Sequence, residues 1–402
     1  MSDIPKTMRA VVYRGVNDLR VETLPVPRIG DNELLVRVAV CGVCPTDIKK
    51  IHYGTVAPPR IFGHETAGTI VKIGAGAKIR ATRLKVGDRV ALHHHVPCLK
   101  CHFCRHRAFA QCETYKRTGI TAGFEPSGGG FAEYVRVMDF VLPGVVKIPA
   151  KNSFAEGAML EPVNTVLKAV KRLNLLRGDN VLVAGQGPIG LTFTKILELR
   201  GVNVLATDLL ASRLKLAKKF GAKWAALANS PQVARHSSLD AAIIAVPSDS
   251  AVTQALQLVR GAGQVLLFAH TKRAAPASPS PTLISLVHPT RSSLSPQRGE
   301  GLRVRGETNR PASYPLTSPL HAADHAPFFD FASICLDEKD LIGSYSSDFT
   351  IQDEVARLVF SRRLDVRPLL THRYPLEQTA DAIALASKPT EKSLKIVINQ
   401  RE

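Results

Sequence analysis

The stretch Val181-Leu-Val-Ala-Gly185-Gln-Gly187-Pro188-Ile189-Gly190 constrains the fold of this chain more than any other. It is G-x-G-x-x-G set directly after a β-favouring run and directly before a helix-forming one. Alone the motif is weak; the strand-turn-helix setting gives it force. Gly185 permits a tight turn, Gly187 lets a pyrophosphate approach the backbone, and Gly190 lets helix and strand pack closely. Pro188 and Ile189 open a helix whose free N–H groups and positive dipole face those phosphates. The next apolar run ends in Leu205-Ala-Thr-Asp208, where a carboxylate accepts hydrogen bonds from ribose hydroxyls and repels a 2′-phosphate. That favours NAD over NADP, with Arg213 leaving an ambiguity because an arginine can accept that phosphate. A glycine-bearing turn with no ligand is the other reading, but it leaves the register of strand, helix and acid without a purpose. Residues 181–184, 203–207, 241–245 and 264–268 read as Val/Ile/Leu-rich strands of a parallel sheet buried on both faces. The fold class expected is α/β, a doubly wound parallel sheet of Rossmann type.

Four cysteines make the second constraint. They stand as Cys98-Leu-Lys-Cys101-His-Phe-Cys104, closed by Cys112 after seven intervening residues. Two-residue gaps let neighbouring thiolates reach one ion from a tight turn, and four thiolates satisfy tetrahedral zinc with no open position. Such a site shapes a loop and does no chemistry. An iron–sulfur cluster is the rival, but the bacterial ferredoxin run closes its fourth cysteine sooner and follows it with proline. Here Glu113 follows. Structural zinc is the expectation, in a lobe over residues 93–115.

With 402 residues the chain has room for two domains with cores of their own. No apolar run is long enough to span a membrane, and Met1-Ser-Asp-Ile-Pro-Lys6 lacks a signal peptide's apolar stretch. Clustered cysteines without an export signal read as metal ligands in a reducing compartment, so a cytoplasmic location is expected. The formal net charge of +19 raises nucleic acid as a partner. Yet the lysines and arginines are scattered, no nucleic-acid module accompanies them, and a positive field equally attracts an anionic dinucleotide. A small molecule, rather than nucleic acid or membrane, is the expected partner.

Residues 1–152 read as β-rich, with β-favouring stretches near 10–13, 34–40, 69–73 and 89–92 between Gly and Pro turns. Helical periodicity over 156–173 precedes the βαβ alternation, so residues 153–345 read as the dinucleotide-binding domain. Residues 346–402 carry two helices and a closing strand near 394–398, and are expected to rejoin the first domain. Residues 274–327 fit neither domain. Rich in Pro, Ser, Arg and Gly, they cannot bury enough apolar surface to offset their ordering entropy, and are expected to be a disordered insertion.

Upstream stand Cys41-Gly-Val-Cys44-Pro-Thr46-Asp47, then Gly63-His64-Glu65, and later Leu160-Glu161-Pro162. Each is weak alone, and Cys41 with Cys44 also reads as a redox pair, though outside a thioredoxin-like setting. Taken with the cysteine lobe and the glycine turn, their order and spacing resemble the zinc-containing medium-chain dehydrogenases, in the branch of sorbitol, threonine and polyol dehydrogenases. The resemblance spans the chain outside 274–327 and implies a β-rich GroES-like catalytic domain beside the Rossmann domain. It implies two zinc ions per chain, one catalytic and one structural. Cys44, His64 and Glu161 would hold the catalytic ion with a fourth position open, and Glu65 would be a neighbouring or exchanging carboxylate. An alcohol oxygen in that position ionises more readily, and a hydride can then pass to the nicotinamide to leave a ketone or aldehyde. By the same resemblance Thr46 bonds the substrate oxygen and passes its proton outward. Asp47 orients the metal site from outside, and Thr165 contacts the nicotinamide. The implied substrate is a secondary alcohol or polyol, and the implied assembly is a homodimer or tetramer, weakened by the insertion.

Relatives often carry a histidine five residues after the zinc cysteine. Here that place is Lys49, and His52, three residues on, is the remaining candidate for the last proton transfer. The change counts against L-threonine 3-dehydrogenase, the alternative that shares the metal site. A further alternative is a relative silenced by the insertion, which would bind zinc and NAD without turnover. The triplet His93-His94-His95 reads as a strand end entering the cysteine lobe and receives no role.

Overall fold

The structure, a computed structural model, describes residues 4–76, 83–93, 95–117, 128–269 and 331–400. His94 and the expected insertion at 274–327 lie outside the described residues. The first part of the chain is β-rich: β1 (Thr7–Gly15), β2 (Asp18–Pro25), β3 (Leu34–Gly42), β4 (Arg60–Ile61), β5 (Glu65–Ile73), β6 (Arg89–Leu92), β7 (Tyr134–Val137) and β8 (Val145–Lys147). The second part supplies β9 (Asn180–Ala184), β10 (Asn203–Asp208), β11 (Trp224–Leu227), β12 (Leu239–Ile244), β13 (Val259–Leu267) and β14 (Asp340–Gly343). The tail adds β15 (Leu370–Pro375) and β16 (Lys395–Asn399).

β1 pairs antiparallel with β2 and β4 in a small sheet. A seven-stranded sheet runs β15-β16-β3-β5-β6-β8, with β7 also on β3. β3 is at its centre, which is why its sequence is apolar at nearly every position and only Arg37 is exposed. The tail does rejoin this sheet: Val397, Ile398 and Asn399 of β16 pair antiparallel with Gly42, Cys41 and Val40. β15 was not legible in the sequence, because Leu-Thr-His-Arg-Tyr-Pro at a half-exposed sheet edge alternates weakly and ends in proline.

The second sheet has the order β11-β10-β9-β12-β13-β14, parallel throughout. Strand order reverses between β9 and β12, and in such sheets ligands bind at the carboxyl ends of the strands beside that reversal. Val181, Leu182 and Val183 of β9 are fully buried, a burial worth about 1.5–3 kcal/mol for each large side chain. The single helix read over 156–173 is two helices, Phe154–Ala158 and Leu160–Val170, meeting at Met159. Pro162 cannot donate back to the carbonyl four residues earlier, so the second helix starts afresh with Glu161 in its first turn. This helix packs on Pro188–Leu199, the helix that opens from the glycine turn. Residues 1–270 and 330–402 form one compact unit.

Candidate active site

Cys44 follows β3 and caps the helix Pro45–Tyr53, its sulfur accepting from the Thr46 N–H at 3.5 Å. Glu65 opens β5 and His64 stands just before it, behind Gly63, whose φ is +97°. A Cβ at Gly63 would stand 2.7 Å from Cys41 Sγ and 2.8 Å from the Phe131 nitrogen, so only glycine lets the chain turn there. The result is that ligand atoms of Cys44, His64 and Glu65 lie within 4.8 Å of one another. Asp47, fully buried, faces His64 Nδ1 from 3.2 Å, which leaves Nε2 as the ring nitrogen for a metal. Lys395 Nζ donates to Glu65 Oε1 at 2.6 Å and to the Val43 carbonyl at 3.0 Å. Glu161, buried, is not within the 4.8 Å group but stands beside it, its Oε1 3.4 Å from His95 Nδ1. The resemblance makes Glu161 the third ligand and Glu65 its neighbour. The geometry draws Glu65 in and sets Glu161 alongside.

Electrostatics fit a cation at this point. Burial pushes the Glu161 carboxyl up to about 7, with the charges of Glu65 and Asp47 adding to the rise and His64 and Lys395 opposing it. Burial works against a charged His64 as well, but Asp47 and Cys44 outweigh it and raise the ring well above its ordinary range. Burial likewise opposes the charge on Lys395, yet Glu65 and Cys44 hold it above the ordinary lysine range. Thiol, imidazole and carboxylate donors collected at one largely buried point suit zinc.

The other candidates lie as follows. Thr46 is half-buried in the first turn beside Cys44. Thr165 Oγ1 donates to the Pro162 carbonyl of its own helix at 2.8 Å. His52 turns Nε2 to Ser387 Oγ at 2.8 Å and Nδ1 to Asn17 Oδ1, so both ring nitrogens tie helix ends and a turn together. Cys41 is fully buried with its sulfur 3.5 Å from Thr66 Oγ1, and burial pushes its thiol up to about 12. A thiol so far from ionising makes a poor redox partner for Cys44. Sequence reasoning passed over His93, His95, Ser347, Tyr115 and Lys395. The histidine triplet was a visible signal for the first two, and a lysine inside the apolar run 394–398 was one for the last.

Cys98, Cys101, Cys104 and Cys112 also lie within 4.8 Å of one another. The Cys98 N–H reaches Cys112 Sγ at 3.2 Å, and Cys101 Sγ is 3.5 Å from Cys104 Sγ. Backbone N–H groups, Lys100 first, draw the Cys98 thiol down to about 6, while burial pushes Cys104 up to about 12. Tyr115 and Phe109 close a small apolar core around the sulfurs. The donor set is that of a closed tetrahedral zinc site.

At the dinucleotide turn Gly185 has φ +92°, and its N–H bonds the Thr207 carbonyl at 2.7 Å. A Cβ at Gly190 would fall 1.7 Å from the Gly185 oxygen, whereas one at Gly187 would meet nothing within 4 Å. The empty side of Gly187 is the cradle a pyrophosphate needs. Asp208 at the end of β10 accepts the Gln186 N–H at 2.6 Å and the Leu210 N–H at 2.9 Å. It thus clamps the turn. Arg213 Nη1 lies 3.8 Å from Asp208 Oδ2.

The Alcohol dehydrogenase GroES-like domain family matches residues 30–150, and the Zinc-binding dehydrogenase family matches residues 188–295. A sorbitol dehydrogenase of Bombyx mori is 27% identical over 97% of this chain and 98% of its own length. D-xylulose reductase A of Aspergillus oryzae is 30% identical over 64% of this chain and 75% of its own. Among solved structures, the alcohol dehydrogenase TADH of Thermus sp. ATN1 superposes with a TM-score of 0.74 at 24% identity, covering 98% of this chain and 100% of that one. The Rossmann sheet, the GroES-like sheet and these matches converge: the chain belongs to the zinc-containing medium-chain dehydrogenases, on their polyol dehydrogenase branch.

Proposed function

We propose that this protein oxidises a secondary alcohol or polyol with NAD, and that it holds two zinc ions. The observation that carries the reading is the convergence of Cys44, His64 and Glu65, with Glu161 buried at the start of a helix packed on the dinucleotide-binding helix. Metal ligand and cofactor turn are thereby mechanically joined. A zinc ion held by Cys44, His64 and a carboxylate supplies Lewis-acid polarisation of the substrate oxygen, and NAD supplies the hydride acceptor. The protein's own groups do the rest. Asp47 holds His64 in the tautomer that presents Nε2. The Thr46 hydroxyl, in the first turn beside Cys44, accepts the proton of the substrate alcohol as it passes its own outward to solvent. Lys395 neutralises Glu65, so two carboxylates can share the pocket. His52, bound to Asn17 and Ser387, serves as a tie between elements rather than as the last proton carrier.

The relatives' names are those of polyol enzymes, which does not favour L-threonine 3-dehydrogenase. NAD over NADP rests on Asp208, whose carboxylate repels a 2′-phosphate. Zinc per chain, measured with NADH formation across secondary alcohols, polyols and threonine, tests the whole reading. Two zincs with turnover on alcohols or polyols are expected. Turnover confined to threonine, or none with any of them, would sink it. Asp208→Ser is expected to narrow the preference for NAD by about tenfold, a change of about 1.4 kcal/mol.

A further inference from the structure

Separate segments of the chain meet around His95, which contacts the Glu161 carboxylate. His95, on the segment leaving β6, places Nδ1 3.4 Å from Glu161 Oε1. The same Nδ1 contacts Ser347 Oγ, from the loop after β14, and that oxygen lies 3.4 Å from His93 Nε2. His93, His95 and Ser347 are all buried. The His95 ring also packs on Tyr115, centroids 4.7 Å apart, and Tyr115 belongs to the core of the cysteine lobe. Glu65 has a different holder, Lys395. The two carboxylates beside Cys44 and His64 are therefore positioned independently.

Hydrogen-bond polarity orders the contacts around His95. An ionised carboxylate can only accept, so the His95 tautomer with its hydrogen on Nδ1 is the one that can hold Glu161. Ser347 Oγ can accept from that same N–H and turn its own hydrogen toward His93 Nε2. His93 has no partner at Nδ1, so Ser347 is its hydrogen-bonding contact among the described residues.

We propose that His95, supported by Ser347, is a positioning residue that orients the Glu161 carboxylate toward Cys44 and His64 and so sets how firmly the catalytic zinc is held. The proposal rests on the catalytic-zinc reading above. Outer partners of metal ligands change metal affinity by about 10- to 100-fold when removed.

The test uses the full chain loaded with zinc, and in parallel with cobalt, whose absorption separates a four-thiolate site from a mixed one. Release of metal to a competing chelator is followed for His95→Ala, His95→Asn, Ser347→Ala and Glu161→Ala, with kcat, KM and thermal midpoint alongside. His95→Ala is expected to speed loss of the mixed-ligand metal by about 10- to 100-fold and to leave the four-cysteine metal in place. His95→Asn, which keeps an N–H donor near Nδ1, should recover most of the retention. In the Glu161→Ala background His95→Ala should add nothing, because it acts through that carboxylate. Wild-type release from His95→Ala would overturn the proposal, as would His95→Asn behaving like alanine. Loss confined to the four-cysteine metal would do so too, making His95 a support for the lobe through Tyr115. A wild-type chain that holds only the lobe metal would instead overturn the catalytic-zinc reading, and the role of His95 with it.

Discussion

Lys395 shows how a single side chain in this site depends on its partner. It is buried on β16, bonded to Glu65 and to the Val43 carbonyl. Removing one member of such a pair strands the other charge in a dry place, at a cost of about 3–5 kcal/mol. Lys395→Met should therefore lower the free energy of urea unfolding by that amount, and Lys395→Met with Glu65→Gln should recover much of it. A double variant no more stable than the single one would show that the pair is not what matters. Cys98, Cys101, Cys104 and Cys112 could be picked out in the sequence by their spacing, whereas Cys44 and His64 stood out only through the family resemblance. Lys395 stands out as a lysine in an apolar run, but its partner could not be named, since Glu65 lies 330 residues away along the chain. Nor could the pairing of His95 with Glu161, which joins side chains that no local spacing relates.

The strand-turn-helix unit around Gly185 makes a sharper comparison between two glycines. Gly190→Ala would press a methyl group onto the Gly185 oxygen, and overpacking of this kind costs about 1–3 kcal/mol. Gly187→Ala has open space on the protein side. It should fold with an unchanged thermal midpoint yet bind NAD far more weakly, as titration calorimetry would show. Equal loss of stability in both would contradict the assignment of the cradle. The helix Phe154–Ala158 carries a capping box between Ser153 and Glu156. Burial alone would raise the Glu156 carboxyl, but the Ser153 N–H, the Asn152 amide and Arg362 outweigh it and hold it below the usual range. A carboxyl depressed in the folded state contributes stability in full above its ordinary value of about 4.3. That contribution is lost as pH falls through the depressed folded value. Glu156→Gln should lower the thermal midpoint at neutral pH and flatten its decline on acidification. An unchanged acid limb would count against the box. Such signatures are local, so Ser-x-x-Glu and G-x-G-x-x-G can be read from the chain. The break at Met159 was missed because apolar periodicity continues smoothly across it.

Among the described residues β14 is the edge of the parallel sheet and leaves Leu341 exposed, with Tyr345 exposed just beyond it. An unpaired apolar edge invites a second strand. Light scattering is expected to show a dimer, and Leu341→Asp to shift it toward monomer. A wild-type monomer at high concentration would dispose of that expectation. Composition, the glycine turn and the spacing of the four cysteines were enough to indicate the fold class and a four-thiolate donor set, because short-range spacing dictates turns, periodicity and chelation; Cys44, His64 and Glu161 were singled out by family resemblance. Only the tertiary structure decided that Glu65 joins Cys44 and His64 while Glu161 stands against His95. It also decided that His52 ties Asn17 to Ser387, and that β16 brings a lysine into the pocket. Those outcomes depend on which distant segments a closed sheet and a packed core bring within a few ångströms, and no stretch of sequence contains that distance.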